Sequence, residues 1–321
     1  MIRTAECVSP MHPDKMCDRI SDTLLDLHLE QDPNSRVAIE TCGGIGMVFI
    51  TGEVTSNAVV TRENIIKVVH DVTTDDTIEV IININSQSPE IANGVDTGGA
   101  GDQGIMIGYA CRDNEEFLPQ EYYLSRELNK FVFDKYPYDG KTQVTMNGNS
   151  LRVVCSFQNA PTFELEKLVM EYFKDYPQYH IEALHCNPAG DWNIGGFTAD
   201  AGLTGRKLAV DNYGPRVPIG GGAFSGKDST KVDRSAAYMA RRIAVDILEQ
   251  RPMVQEVMVQ LAYAIGYNQP LQASAIVDGE HEFIKGYDLS PKGIIEFLEL
   301  RNPIFASTAG FGHMGAGFNW K

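Results

Sequence analysis

Two β-hairpins can be read directly from the chain, and they constrain its architecture more than any other feature. Asn147-Gly148-Asn149 separates apparent strands at residues 143–146 and 151–157, and Asn-Gly between alternating runs is a strong hairpin signal. Gly43-Gly44-Ile45-Gly46 separates residues 36–42 from 47–54 in the same way. Further strands are predicted at 78–84, 256–263 and 273–277, and an apolar run spans 105–111. Residues 16–27 have helical spacing, with Met16, Ile20, Leu24 and Leu27 on one face and Asp18, Asp22 and Asp26 on the opposite one, and Pro13 suits the first turn. Other helices are predicted at 163–176, 231–249 and 292–300. Hairpins plus a helix thus occur in three cycles, which predicts three similar α+β units. No residue-level repeat accompanies them.

At 321 residues the chain can bury ample core without disulfide staples. Its six cysteines (Cys7, Cys17, Cys42, Cys111, Cys155 and Cys186) are scattered, with no pair at the spacing of zinc or redox motifs, and are expected to be reduced and partly buried. No apolar run approaches the roughly 18 residues of a membrane span, and residues 1–15 lack the apolar core of a signal peptide. A cytoplasmic location is the expectation. A formal charge of -16 argues against nucleic-acid and membrane partners. It does not exclude nucleotides. Charges beyond about 8 Å are screened, whereas a lysine touching a phosphate is worth roughly 4 kcal/mol at an effective dielectric of 20.

The chemistry concentrates in four stretches. Residues 220–235 join four glycines to Lys227, Lys231 and Asp233; free backbone N–H groups, two cations and a carboxylate outline a polyphosphate site. Gly221 to Lys227 fits the pattern of a P-loop, but Asp228 stands where that loop has Ser or Thr, and no apolar strand leads into it. His12-Pro13-Asp14-Lys15 opens the first helix, where the positive dipole end favours an anion. His12 could donate to a phosphate and Asp14 could hold magnesium; on this tetrapeptide alone, a helix cap and a surface histidine explain both. Gly99-Ala100-Gly101-Asp102-Gln103-Gly104 reads as a turn with Asp102 bonded to its own backbone. Asp200 to Lys207 places Arg206 and Lys207 after a glycine turn, where a solvated surface pair is the alternative reading.

Taken in order, these motifs resemble the S-adenosylmethionine synthetase (methionine adenosyltransferase) family, from near Glu6 to Trp320. The resemblance implies that family's fold, three similar α/β units in pseudo-threefold arrangement with mixed and antiparallel sheets, here divided as 1–98, 99–190 and 191–321. It implies attack of the methionine sulfur on C5′ of ATP, followed by hydrolysis of the tripolyphosphate released. His12, Lys141, Arg206, Lys207 and Lys227 would then be catalytic. ATP would also meet Asp139, Asp191, Trp192, Asp200 and Ala223, and methionine would meet Glu53, Asn93, Asp102, Asp200 and Lys231. Asp14 and Asp233 would hold Mg²⁺, two ions per site, and Glu40 would hold K⁺. The family's sites lie between subunits, implying at least a homodimer and leaving a homotetramer open.

The chain departs from the family in several places. The gating loop is shortened to Thr97-Gly98, Asn93 replaces a methionine-contacting glutamine, and Ile219 replaces a histidine. Asp191-Trp192 replaces an Arg-Phe pair, exchanging a cation near ATP for an anion, so weaker nucleotide affinity or a rearranged phosphate path is expected. An active synthetase with an altered lid is the prediction. Two alternatives are a non-catalytic nucleotide-binding or regulatory relative and a P-loop ATPase.

Overall fold

The computed structural model describes residues 1–86, 99–315 and 317–321; Asn93 and the shortened loop lie outside them. Three long helices set the frame. The first, α1 (Pro13–Leu29), takes His12 as its cap and Pro13 in its first turn. It buries Met16, Ile20, Leu24 and Leu25, each worth about 1.5–3 kcal/mol relative to exposure. The predicted stripe is therefore correct at Met16, Ile20 and Leu24, whereas Leu27 is only half-buried, and the helix packs on the strand β2 (Arg36–Gly44). Hairpin partner β3 (Met47–Thr55), helix α2 (Arg62–Thr73) and strand β4 (Glu79–Asn85) follow. Sequence reading did not anticipate α2. Its Ile65, Val68, Val69 and Val72 are buried at the i, i+3, i+4, i+7 spacing of a helical stripe, a signal present in the sequence, and a Thr61–Asn64 capping box starts it.

The second cycle runs through β5 (Gly104–Cys111), α3 (Gln120–Phe133), the hairpin β6 (Gly140–Asn147) and β7 (Ser150–Phe157), α4 (Thr162–Tyr172) and β8 (His180–Cys186). After the two-residue strand β9 (Gly202–Leu203), the third cycle has α5 (Val232–Gln250), β10 (Glu256–Tyr263), β11 (Gln272–Val277), β12 (Glu280–Phe283) and α6 (Pro291–Phe297). The chain's first strand, β1 (Ile2–Val8), was not anticipated, and neither was α3.

Among the described residues the strands make three four-stranded sheets, ordered β1-β6-β7-β8, β12-β11-β10-β5 and β4-β3-β2-β9. In each, the central hairpin is antiparallel and one edge strand is contributed from elsewhere in the chain: β1 joins β6, β5 joins β10, and β9 joins β2. Two sheets add a parallel strand after a crossover helix, β4 on β3 and β8 on β7, whereas the third adds the antiparallel β12. The pseudo-threefold α+β expectation is met. The contiguous spans 1–98, 99–190 and 191–321 are crossed by all three sheets. Among the described residues no helix is long and apolar enough to cross a membrane.

Candidate active site

The site is assembled along α1, and here the structure departs from the sequence reading. Asp18, Asp22 and Asp26, assigned to the face opposite the apolar stripe, are 0, 0 and 8% exposed. Residues four apart share one side of a helix, and this side receives loops from the C-terminal third. Leu203 N donates to Asp14 Oδ1 at 3.0 Å and Gly205 N to Asp18 Oδ1 at 2.8 Å. Gly226 N donates to Asp22 Oδ1 at 2.8 Å, and Phe305 N and Ala306 N donate to Asp26 at 3.1 and 2.8 Å. Burying these charges requires counter-ions. Arg234 grips Asp22 with two contacts of 2.6 and 2.9 Å, and Lys15 lies 2.9 Å from Asp18 and 2.6 Å from Asp211.

Glycine permits two of these approaches. A Cβ on Gly202 would fall 2.2 Å from Pro13 O, so only glycine lets β9 reach the start of α1. Gly226 has φ +81, and its Cβ would fall 1.9 Å from Ile39 O.

The first cluster surrounds His12. Its Nδ1 accepts from Asp14 N at 3.2 Å, and its side chain is 13% exposed. Burial, then the charge of Lys207, lowers the ring pKa to about 4. Arg206 Nε is 2.8 Å from Asp14, and Lys207 Nζ binds the other carboxylate oxygen. Burial pushes Asp14 upward, but its bonds from Lys207 and Leu203 outweigh it and hold the carboxyl below its ordinary value. Lys141 and Asp200 also act electrostatically on His12. Burial raises Asp139, which accepts from Gly196 N at 3.0 Å. Asp200 is exposed and accepts from Ala201 N at 2.8 Å.

A groove of about 490 Å³ runs beside Lys141, Gln143, Ser156, Gly190 and Trp192. Trp192 Nε1 donates to Ser156 Oγ at 3.1 Å. Asp191 also borders this groove, but its Oδ1 accepts from Thr162 N at 3.0 Å, Thr162 Oγ1 at 2.5 Å and Asn187 Nδ2 at 3.2 Å. Its charge thus serves the first turn of α4, and the bonds from Thr162 and Asn187 lower its pKa.

The second cluster lies on residues 220–233. Lys227 Nζ is 2.6 Å from Asp233, and Lys231 pairs with Asp228. Asp228 also accepts from Val37 N at 2.7 Å. The strap bridges to β2 through Ala38 and Lys227, and Ala38 stands opposite Glu53 of β3. Glu53 is half-buried; Glu40 on β2 is exposed. Asp102 is exposed and bonded to its own turn through Gln103 N at 2.7 Å, as anticipated. Ala223 lies against Gly205, whose added Cβ would fall 2.5 Å from it, so the loops bearing the two clusters touch. No strand leads into Lys227, and the helix begins only at Val232. This is not the strand–loop–helix of a P-loop, and the ATPase alternative falls with it.

Among the described residues no three His, Cys, Asp or Glu side chains gather as a metal cage. Asp14 and Asp233 each offer one carboxylate beside cations. Mg²⁺ commonly binds one or two carboxylates and completes its shell with phosphate oxygens and water, so both fit an ion shared with a polyphosphate. Sequence reading missed Lys15, Asp22, Asp211 and Arg234. The available signal was an aspartate at every fourth position from Asp14 to Asp26, a face of uniform charge where solvated faces usually mix signs.

Comparison with known proteins fits this geometry. Residues 1–89, 97–191 and 194–321 match the N-terminal, central and C-terminal domains of S-adenosylmethionine synthetase. S-adenosylmethionine synthase 2 of Rhodospirillum rubrum is 38% identical over 368 positions, covering 99% of this chain and 94% of the relative. That alignment is longer than the chain, so the relative carries segments with no counterpart here. The synthase of Parvibaculum lavamentivorans is 40% identical over 99% of this chain and 95% of its own. A solved structure of an unusual S-adenosylmethionine synthetase from Campylobacter jejuni superimposes with a TM-score of 0.89 at 32% identity, covering 99% of this chain and 96% of that one.

Proposed function

The chain belongs to the S-adenosylmethionine synthetase family, and from that membership we propose how its residues divide the work. The protein is a methionine adenosyltransferase that joins ATP and methionine into S-adenosylmethionine. The observation supporting the site is the pairing of cations with single carboxylates on two touching loops, Arg206 and Lys207 on Asp14 and Lys227 on Asp233. These cations, with Lys141, face the triphosphate. Sulfur attacks C5′, the C5′–O bond breaks, and the electron pair leaves on tripolyphosphate. Negative charge grows on the leaving chain, so pre-placed cations supply most of the acceleration.

His12 is a neutral donor to the leaving oxygen. Its Nδ1 already accepts from Asp14 N, so the neutral ring carries its proton on Nε2. Mg²⁺ held at Asp14 and Asp233 would neutralise phosphate charge, and K⁺ would sit at Glu40; the family is metal-dependent. Glu53, Asn93, Asp102, Asp200 and Lys231 serve methionine, while Asp139, Asp191, Trp192 and Ala223 border ATP. The free thiols fit a reducing cytoplasm.

A second copy of the chain completes the site. Leu203, Cys42, Phe49 and Ile81 form a row across β9, β2, β3 and β4. This row is exposed, at 38, 37 and 39% for Leu203, Phe49 and Ile81. An apolar sheet face of this kind suits a partner's matching face. Incubation with ATP, methionine, Mg²⁺ and K⁺ should yield S-adenosylmethionine by mass spectrometry; no product would overturn the activity.

A further inference from the structure

Two aspartates of α1 each bond the amide directly ahead of a proposed phosphate cation. Asp18 takes Gly205 N, ahead of Arg206, and Asp22 takes Gly226 N, ahead of Lys227. Both are 0% exposed, so neither can meet substrate. Arg234, bound to Asp22, also donates to Lys227 O at 3.0 Å. The backbone around Lys227 is thereby held from both sides. Four residues of helix rise about 6 Å.

From this geometry we infer that Asp18 and Asp22 are positioning residues, and that α1 is a rigid spacer setting how far apart Arg206 and Lys227 stand along the polyphosphate. The inference rests on the assignment of those cations to the triphosphate. Asp18 is the better test, because removing Asp22 would strand the buried Arg234 charge, whereas Lys15 retains Asp211 if Asp18 is changed.

Tripolyphosphate hydrolysis is measured for Asp18→Ala, Asp18→Asn, Arg206→Ala and the Asp18→Ala/Arg206→Ala double variant. Asp18→Ala should raise KM for tripolyphosphate about tenfold, the weight of one such hydrogen bond. Asp18→Asn, whose amide oxygen can still accept from Gly205 N, should stay within about twofold of the parent. The double variant should be little worse than Arg206→Ala, since both remove the same grip. An Asp18→Ala that melts earlier but keeps its KM, or effects that simply add, would overturn the inference. Arg206→Ala with unchanged KM would instead overturn the phosphate assignment. If Asp18→Ala does not fold, Asp18→Glu decides against Asp18→Asn: the shifted acceptor should raise KM several-fold, and equal KM values reject the positioning role.

Discussion

Because Nδ1 of His12 is committed to Asp14 N, the ring can serve the leaving group only through Nε2, and its low pKa keeps it neutral. An NMR titration should find its midpoint near 4; a midpoint near 6.5 would show a solvated ring. The folded ring binds fewer protons than the unfolded one between those values. Its contribution to stability is therefore complete above pH 6.5 and is lost as pH falls toward 4, by about 1.4 kcal/mol per pH unit. Lys227→Ala should slow adenosyl transfer by about 3 kcal/mol of barrier, read as kcat; unchanged turnover would move the triphosphate elsewhere. At this scale the sequence motifs were informative about which residues gather, since His12, Asp14, Arg206 and Lys207 do meet. For Asp191 they pointed to an anion beside ATP, because the sequence reveals the charge but not that Thr162 and Asn187 bond it.

For whole elements, legibility followed how directly a pattern reports burial. The α1 apolar stripe and both hairpins were readable because turn chemistry and 3.6-residue spacing are local. The burial of its acidic face was not, since it depends on loops some 180 to 280 residues away in the chain. Aromatic residues on both sides of α3, where Tyr122 and Tyr123 are both buried, similarly blur its stripe. Two substitutions test element geometry. Gly226→Ala places a methyl against Ile39 O at positive φ and should destabilise by at least 1–3 kcal/mol in denaturant unfolding. Thr61→Ala removes one half of the α2 capping box and should cost about 1 kcal/mol with activity retained; a larger loss would mean that α2 relies on its cap more than on packing.

For the whole molecule, the exposed Leu203–Cys42–Phe49–Ile81 row makes assembly the property to perturb. Phe49→Asp should convert oligomer to monomer in light scattering and abolish synthesis while the chain stays folded; an active monomer would show that one chain suffices. The arrangement of the sheets bears on synthesis of the protein as well. Since β9 closes the edge of β2 only once residue 203 exists, and β1 waits for β6, a chain emerging from the ribosome carries unpaired strand edges through more than half of its translation. Truncated forms should therefore aggregate rather than fold by thirds, and release of a soluble, stable fragment spanning residues 1–86 would contradict this. The same lending of strands makes any one unit's loosening a loss for its neighbour, which ties the thirds into a single cooperative unfolding event.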